Sequence, residues 1–420
     1  FVCREKRQVA HSALREPRFR RYYPASWFSG LGSWMLRFIL GWSAWELTGS
    51  PLWVGIVGAL MLAPALVLSP YFGVQSDRVN PRHGLIFSMV FHSSIGLTGA
   101  VTTFLGAFHE LTLLLLATAL GSASAIHSPM RLALVPLLVP RTALPSAVGL
   151  IAMSFNIARI LGPALCAAII AQLGVGWAWL VAVFIFAISA AILISLRGVG
   201  TREVKSDKSV NRDFIDGLNY VRNSPVVVLI LVTTAINGLL GRSFIELLPA
   251  VSGRLLMGGA SELAWLTAAA GTGAVLGGLL MSRQTALVIG LYRLILMALL
   301  GAALLLATLH WLDILMALAL VVGLITFTTT IAGTGCQALT QLVIDPKYHG
   351  RVMSLWSMTM MASPALGAAT NGAVAEWAGF VTTFAVASGL GVIAVLVLYT
   401  RRRAISDFAP EAIATTSDSR

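Results

Sequence analysis

Two long apolar runs are separated by a short charged segment, Gly73-Val74-Gln75-Ser76-Asp77-Arg78-Val79-Asn80-Pro81-Arg82-His83. The run before it spans residues 52–72 and the run after it spans 84–107, so each is long enough to cross a bilayer. Charged side chains between two such runs are stable at a membrane surface, where they can hydrogen-bond helix ends. The segment therefore predicts two membrane helices joined by a short loop on the cytoplasmic side.

The composition excludes an ordinary soluble protein. Hydrophobic residues make up 57% of the chain and charged residues 11%, whereas a soluble domain carries roughly 25% charged residues. Most of the surface must therefore face a lipid bilayer. The three cysteines, Cys3, Cys166 and Cys336, are too few and too scattered for a disulfide framework or a metal site. We expect no cofactor.

Twelve apolar segments are predicted to be membrane helices, in two groups of six. Spans 1 to 6 cover residues 24–47, 52–72, 84–106, 111–132, 143–173 and 175–196. Spans 7 to 12 cover residues 224–251, 263–281, 285–309, 311–335, 350–377 and 379–399. The predicted fold class is an all-α membrane protein with twelve transmembrane helices in two six-helix pseudo-repeats.

The segments outside the spans are polar. We expect a basic arm (1–22), a six-helix bundle (23–196), a polar linker (197–223), a second six-helix bundle (224–400) and a polar tail (401–420). The arm is basic and lacks a long apolar core, which does not fit a cleavable signal peptide.

Basic residues are concentrated in alternate loops, which predicts the orientation. Outside the arm, linker and tail, those on one side are Arg78, Arg82, Arg141, Arg283, Lys347 and Arg351. The loops on the other side contain Arg254 alone. Both termini are therefore predicted to lie in the cytoplasm, with the spans in the cytoplasmic (inner) membrane. The net charge of +12 is spread over these loops rather than gathered in one patch, which argues against a nucleic-acid partner.

The pattern Gly-x-x-x-Asp-Arg-x-x-x-Arg, formed by Gly73, Asp77, Arg78 and Arg82, resembles the signature loop of the major facilitator superfamily. This resemblance implies two six-helix halves with a substrate site between them at mid-membrane. It also implies that the four residues form a gating motif, which latches the cytoplasmic side while the cavity opens outward.

Four further sequences resemble the enterobactin-exporter branch of that superfamily, which also contains drug-efflux transporters. They are Leu47-Thr48-Gly49-Ser50-Pro51, Arg159-Ile160-Leu161-Gly162-Pro163, Arg242 with Leu248-Pro249-Ala250, and Gly350-Arg351-Val352 with Leu355-Trp356. This second resemblance implies an exporter of a small organic molecule, such as a siderophore.

Three arginines lie near the middle of predicted spans, where a charged side chain is costly and needs a reason. Arg37 lies in span 1 on a stripe of small and polar residues that includes Ser33. This stripe fits the wall of a water-filled cavity, and close helix packing through small residues is the alternative. Arg159 shares a face of span 5 with Asn156. Arg159 either contacts a ligand or donates hydrogen bonds to backbone carbonyls.

The third arginine, Arg242 in span 7, is followed four residues later by Glu246. This spacing places the two side chains on one helical face, where they can form an ion pair. Glu246 is the best candidate for proton coupling, because burial raises the pKa of a carboxyl group while a nearby arginine lowers it. His92 and His127 could also titrate, but we interpret each as a packed histidine.

These residues predict a proton-coupled exporter that works by alternating access. Three central arginines and few central acids favour an anionic substrate, such as a catecholate siderophore or an acidic metabolite. A multidrug efflux pump for lipophilic compounds is the alternative, and a non-transporting sensor or scaffold would not need the arginines. The sequence contains no HExxH, GxSxG or P-loop motif, which argues against an enzyme. We expect a monomer.

Overall fold

A computed structural model describes residues 12–196, 210–284, 288–312, 314–345, 348–402 and 405, with side chains at all of these except 70, 73–78, 141, 210–215, 310, 349 and 350. Fifteen α-helices follow one another in the described chain. They are α1 (Pro17–Thr48), α2 (Pro51–Leu60), α3 (Ala63–Arg78), α4 (Pro81–Phe104), α5 (Glu110–Leu138), α6 (Leu144–Leu173), α7 (Val175–Ser195), α8 (Val210–Asn223), α9 (Pro225–Ile236), α10 (Ser243–Glu246), α11 (Leu248–Leu255), α12 (Ala260–Ser282), α13 (Val288–Thr308), α14 (Leu315–Val343) and α15 (His349–Thr400). A π-helical segment, Asn237–Arg242, joins α9 to α10.

Ten stretches of the described helices are long and apolar enough to cross a membrane. The last of them, Arg351–Thr400, contains Gly379 with a φ of 78°, which interrupts the helix and divides it into two spans. Helix α1 is 32 residues long and occupies the position of predicted span 1. Together these helices account for the twelve predicted crossings, and the all-α membrane fold is confirmed.

Two helix starts show why the chain turns where it does. Ser50 precedes Pro51, and its hydroxyl accepts a hydrogen bond from the amide of Trp53 at 3.3 Å. Asn80 precedes Pro81, and its side-chain oxygen accepts from the amide of Arg82 at 3.0 Å. A polar N-cap followed by proline at the first helical position is a strong helix-start signal, because proline needs no partner for a backbone N–H there.

Helix α1 begins earlier than predicted. It starts at Pro17, and the aromatic side chains of Phe19 and Tyr22 are fully buried. The amide of Ala13 donates a hydrogen bond to the Ser146 hydroxyl at 3.1 Å. The last part of the predicted arm is therefore packed structure, because its aromatic residues have apolar area to bury. Residues 1–11 lie outside the described chain.

Residue contacts divide the chain into two compact units. Unit 1 comprises the described parts of Phe1–Leu40 and Val67–Lys205, and unit 2 comprises those of Gly41–Leu66 and Ser206–Arg420. The predicted bundles, 23–196 and 224–400, group residues 41–66 with the first half of the chain, whereas these contacts group them with the second.

The packing of α2 against α15 explains this grouping. A Cβ atom on Gly55 would strike the carbonyl oxygen of Ala368. A Cβ atom on Gly372 would lie 2.6 Å from the Pro51 carbonyl oxygen and 3.2 Å from the Gly55 Cα. The two helix backbones therefore touch, because glycines leave no side chain between them.

The second half of the predicted linker is helix α8, which packs within unit 2 against the end of α14 and the start of α15. The Asp216 carboxylate lies 3.3 Å from the Arg351 guanidinium. The Tyr220 ring stacks on Tyr348 with centroids 4.5 Å apart, and its hydroxyl accepts a hydrogen bond from the Asp345 amide at 3.2 Å. This part of the linker is thus tied to the ends of α14 and α15.

We expect Tyr220→Ala to release α8 from the ends of α14 and α15, because it removes both the stacking contact with Tyr348 and the hydrogen bond with Asp345. Limited proteolysis of the purified protein should then cleave between α7 and α9 several-fold faster than in the wild type. Leu218→Ala is the control, because Leu218 lies on the exposed face of α8. Equal cleavage rates in the Tyr220 variant and the wild type would contradict this docking.

Candidate substrate and coupling sites

In unit 1, two of the predicted site residues contact the same indole ring. The Arg37 Cζ lies 5.8 Å from the centroid of the Trp34 ring, and the Arg159 Cζ lies 5.3 Å from it. Both distances are within the range of cation–π attraction. The three side chains are half-buried. We call Trp34, Arg37 and Arg159 the Trp34 cluster.

Close packing of α1 against α6 fixes the position of this cluster. A Cβ atom on Gly162 would lie 2.8 Å from the Trp34 Cβ and 3.3 Å from the Met35 amide nitrogen, so the two helices are in close contact at this point. The Phe155 ring lies 5.7 Å from the Trp34 ring. The buried Trp34 Nε1 has no hydrogen-bond acceptor among the described residues. An N–H donor therefore lies beside two guanidinium groups.

The two other residues predicted for this site, Ser33 and Asn156, flank the cluster along the same helices. The Ser33 hydroxyl donates to the Ser29 carbonyl at 2.8 Å, and the Asn156 side-chain amide donates to the Ala152 carbonyl at 2.9 Å. Both side chains are half-buried, and both bond to the preceding turn of their own helix. Neither of these two bonds crosses between helices.

In unit 2, the predicted Arg242 and Glu246 follow a change of helical geometry. Arg242 is the last residue of the π-helical segment, and Glu246 is the last residue of α10. A π-helical turn inserts one extra residue and weakens the regular backbone ladder, and such turns are frequent at functional sites. Both side chains are half-buried.

Hydrogen bonds to α14 and α15 hold this π-helical segment. The Leu239 carbonyl accepts hydrogen bonds from the Asn371 side-chain amide at 3.3 Å and from the Ser243 hydroxyl at 2.6 Å. The Asn237 side-chain amide donates to the Thr329 carbonyl at 3.1 Å. The interrupted backbone of the seventh predicted span is therefore stabilised by two asparagines.

Glu246 also lies at the contact between α2 and the seventh predicted span. A Cβ atom on Gly58 would lie 2.8 Å from the Glu246 Cβ and 3.6 Å from its Oε2 atom. At the start of α2, the Ser50 hydroxyl donates to the Glu376 carboxylate at 2.9 Å. The predicted coupling carboxylate thus packs against a glycine of α2.

Of the predicted gating motif, the side chain of Arg82 is described. Its Nε donates to the Leu193 carbonyl at 2.8 Å, and its Nη2 donates to the Ile194 carbonyl at 2.6 Å. Arg82 therefore caps the last turn of α7, whose final carbonyls have no partner within the helix. The side chains of Gly73, Asp77 and Arg78 lie outside the described structure.

Several residues of the Trp34 cluster and of the π-helical segment were not predicted from the sequence. Trp34 lies three residues before Arg37, which is the spacing of neighbours on one helical face and could have revealed the contact. No local signal marks the π-helical segment or its two asparagines.

The two histidines that were interpreted separately, His92 and His127, are neighbours, with ring centroids 6.1 Å apart. Among the described residues, no group of three or more His, Cys, Asp or Glu could hold a metal ion.

Comparison with known proteins identifies the fold. The nucleoside transporter NupG superposes with a TM-score of 0.71, covering 92% of this chain and 99% of that protein at 13% sequence identity. An uncharacterised MFS-type transporter of Bacillus subtilis, YfiS, is 26% identical over 375 residues, which is 85% of this chain and 87% of that protein. The staphyloferrin A transporter of Staphylococcus aureus is 27% identical over 153 residues. That match spans 36% of this chain and 38% of the staphyloferrin A transporter.

A family match over residues 8–415, together with this fold and these relatives, defines the protein as a multi-pass membrane transporter of the major facilitator superfamily, and not an enzyme. Residues 8–415 match the sequence profile of one family within it. The chain belongs to the transmembrane secretion effector family.

Proposed function

We propose that the protein is a proton-coupled exporter of a small organic anion, with a siderophore-like or acidic metabolite as substrate. In this proposal it is a monomer in the cytoplasmic membrane with both termini in the cytoplasm, and it exchanges protons for substrate by alternating access. The latch formed by Gly73, Asp77, Arg78 and Arg82 is part of the same proposal.

The observation that carries the proposal is the Trp34 cluster. Arginine stays charged at all relevant pH values and binds carboxylates through two parallel hydrogen bonds. An indole ring binds a planar aromatic group by stacking. Two guanidinium groups on one indole ring therefore match a ligand that combines an aromatic ring with an acidic group.

The anion-binding role extends to unit 2 through Arg242, and Ser33 and Asn156 would provide polar contacts beside the cluster. The relative named as a staphyloferrin A transporter supports a siderophore-like substrate. The alternative, efflux of lipophilic compounds, would rely on the aromatic side chains alone and would not need the guanidinium groups. A sensor or scaffold would need neither.

A ligand-stabilisation experiment tests the substrate class. Two matched probes are 2,3-dihydroxybenzoate, which has a carboxylate, and catechol, which lacks it. A ligand at one hundred times its dissociation constant stabilises the folded state by about 2.7 kcal/mol. We expect the acid to raise the melting temperature of the purified protein and catechol to leave it unchanged. Stabilisation by uncharged or cationic lipophilic compounds alone would refute an anion transporter and favour multidrug efflux.

For proton coupling, we expect Glu246→Gln to abolish accumulation of substrate driven by a pH gradient in proteoliposomes. Exchange of labelled for unlabelled substrate at equal pH should persist, because it needs no net proton movement. The amide of glutamine has the shape of the carboxyl group but cannot release a proton. Gradient-driven accumulation at the wild-type level would remove Glu246 from the mechanism.

A further inference from the structure

A second group of titratable side chains lies inside unit 1, apart from the Trp34 cluster. His127 and Arg131 are one turn apart on α5, and the His127 ring faces the edge of His92 on α4. Tyr22 on α1 is fully buried close to Arg131, and α7 contributes the Ser189 hydroxyl. In the described chain, α4, α6, α7 and the unit 1 part of α1 contain no Asp or Glu, and α5 has one only at its first residue, Glu110. The Asp77 side chain lies outside the described structure.

The two histidines are held differently. The His92 Nδ1 donates to the Ser88 carbonyl at 2.7 Å, and its ring stacks on Phe186 with centroids 4.8 Å apart. His92 is therefore a fixed, buried ring with a bonded nitrogen. The His127 Nδ1 and the Arg131 Nε are buried and have no hydrogen-bond partner among the described residues. An unpartnered buried polar atom is costly, so His127 has a reason to change its protonation or its surroundings.

The space in front of His127 limits what could bind there. It lies between α1, α4, α5 and α7, and Tyr22, Ser26, Ser29 and Ser189 are among its lining residues. The interatomic space is about 160 Å³, but no part of it is wide enough for the centre of a water molecule. A buried water molecule needs a space of about its own size and two to four polar partners. Without a rearrangement, the ligand that fits is a proton.

The His127 ring is partly exposed and lies next to exposed serines of α5. The His127 side chain is half-buried, although its Nδ1 is buried. The exposed residues nearest to it on α5 are Ser124 and Ser128, and the exposed Leu132 follows one turn after Ser128. Hydroxyl groups fit a water-lined surface and leucines fit lipid. The ring therefore lies between two exposed serines and the interior of unit 1.

We propose that His127 binds a second proton of the transport cycle, in unit 1, separately from Glu246. His127 is neutral while the space around Nδ1 is dry, since Arg131 and His92 face it and the described unit 1 helices that surround it offer no neighbouring carboxylate. When the cycle admits water beside the ring, His127 accepts a proton, and drying of the site expels it. This inference rests on the proposed proton-coupled exchange and adds a proton to its stoichiometry.

A transport experiment measures how many protons move with each substrate molecule. The membrane potential of the proteoliposomes is clamped at zero, and the ratio of internal to external 2,3-dihydroxybenzoate is varied until the net flux of the labelled compound is zero. We call this concentration ratio the balance ratio. Each coupled proton multiplies that ratio by about tenfold per pH unit, because each pH unit is a tenfold ratio of proton activity. Since this is an equilibrium ratio, a variant that is merely slow does not change it.

We expect His127→Gln to lower the balance ratio about tenfold at a pH difference of one unit, while exchange at equal pH persists. His92→Gln is the matched control and should leave the ratio unchanged. A wild-type ratio that corresponds to a single proton would overturn the inference, as would an unchanged ratio in His127→Gln. In both cases Glu246-dependent coupling would stand. Absence of any coupling in the wild type would overturn the proposed function as well.

A second measurement does not depend on transport. Protein labelled with ¹⁵N-histidine in lipid nanodiscs is titrated between about pH 8 and about pH 5, the range in which histidine changes charge. We expect the ring nitrogens of His127 to become protonated in this range. The His127 signal is identified as the one that disappears in His127→Asn or His127→Gln. The ring of His92 should stay neutral. Neutral rings for both throughout the titration would overturn the inference.

Discussion

Replacing both Arg37 and Arg159 by alanine should lower the transport of an anionic substrate by at least about a hundredfold. A hydrogen bond to a charged group contributes about 1.5–3 kcal/mol, which is tenfold or more for each arginine. Each guanidinium lies within 6 Å of the Trp34 ring, at 5.8 and 5.3 Å. The double variant therefore removes both cations from one ligand surface. The measurement is the initial rate of labelled 2,3-dihydroxybenzoate exchange in proteoliposomes that contain equal amounts of folded protein.

Two further variants separate a binding role from a packing role. Arg254→Ala removes a cation from an exposed position at the end of α11 and should leave the exchange rate unchanged. Trp34→Phe keeps an aromatic ring but removes the indole N–H, and we expect a smaller loss than in the double variant. If the double variant exchanges substrate within about twofold of the wild-type rate, less than 0.5 kcal/mol separates them, and the anion site is not at Trp34.

The second large effect is expected from Gly55→Leu. The α2 backbone lies so close to α15 that any Cβ at position 55 meets the Ala368 carbonyl. A leucine there must push the helices apart, and overpacking of this kind costs about 1–3 kcal/mol or more. Cysteines introduced at Ser50 and Glu376, whose side chains are hydrogen-bonded at 2.9 Å, report this contact. We expect the yield of cross-linking by a short bifunctional reagent to fall about tenfold, and transport to fall with it.

The matched control is Gly389→Leu, also in α15. A Cβ atom at this position meets no atom within 4 Å. Leucine is a better helix former than glycine, so this variant should cross-link and transport as the wild type does. Undiminished cross-linking in Gly55→Leu would show that the close contact of α2 and α15 does not constrain the protein.

The location of Glu246 links these two experiments to proton coupling. Its side chain packs on Gly58, one turn along α2 from Gly55. A displacement of α2 that breaks the contact with α15 would also expose the Glu246 carboxyl group to water. We therefore expect Gly55→Leu to impair gradient-driven accumulation and exchange together, whereas Glu246→Gln impairs the first alone.

Much of the fold could be predicted from the sequence because membrane insertion depends on local properties. A long apolar segment must be helical in lipid, since no water is present to satisfy its backbone. The helix starts at Pro51 and Pro81 were also local, because the N-cap residue and the proline are adjacent in sequence. The superfamily was predicted from the charged segment at residues 73–83 and is confirmed by the family match over residues 8–415.

The candidate sites were predictable only in part. Helical spacing places Arg37 and Arg159 on particular faces of their helices, but it does not say which residue of another helix they meet. That both contact Trp34 depends on the close packing of Gly162 against α1, a contact between residues far apart in sequence. The pairing of His92 with His127 has the same origin. Each histidine alone resembles a packed residue, and the pair exists only where α4 meets α5.

The sequence by itself therefore determined that this chain is a helical membrane protein, because hydrophobic length, loop charge and helix caps act within a few neighbouring residues. Tertiary structure alone decided that α2 packs on α15, that a π-helical segment precedes Glu246, and that two arginines share one indole ring. Those features depend on which small residues let two helix backbones approach. That choice is made by the packing of the whole chain, and no short stretch of sequence contains it.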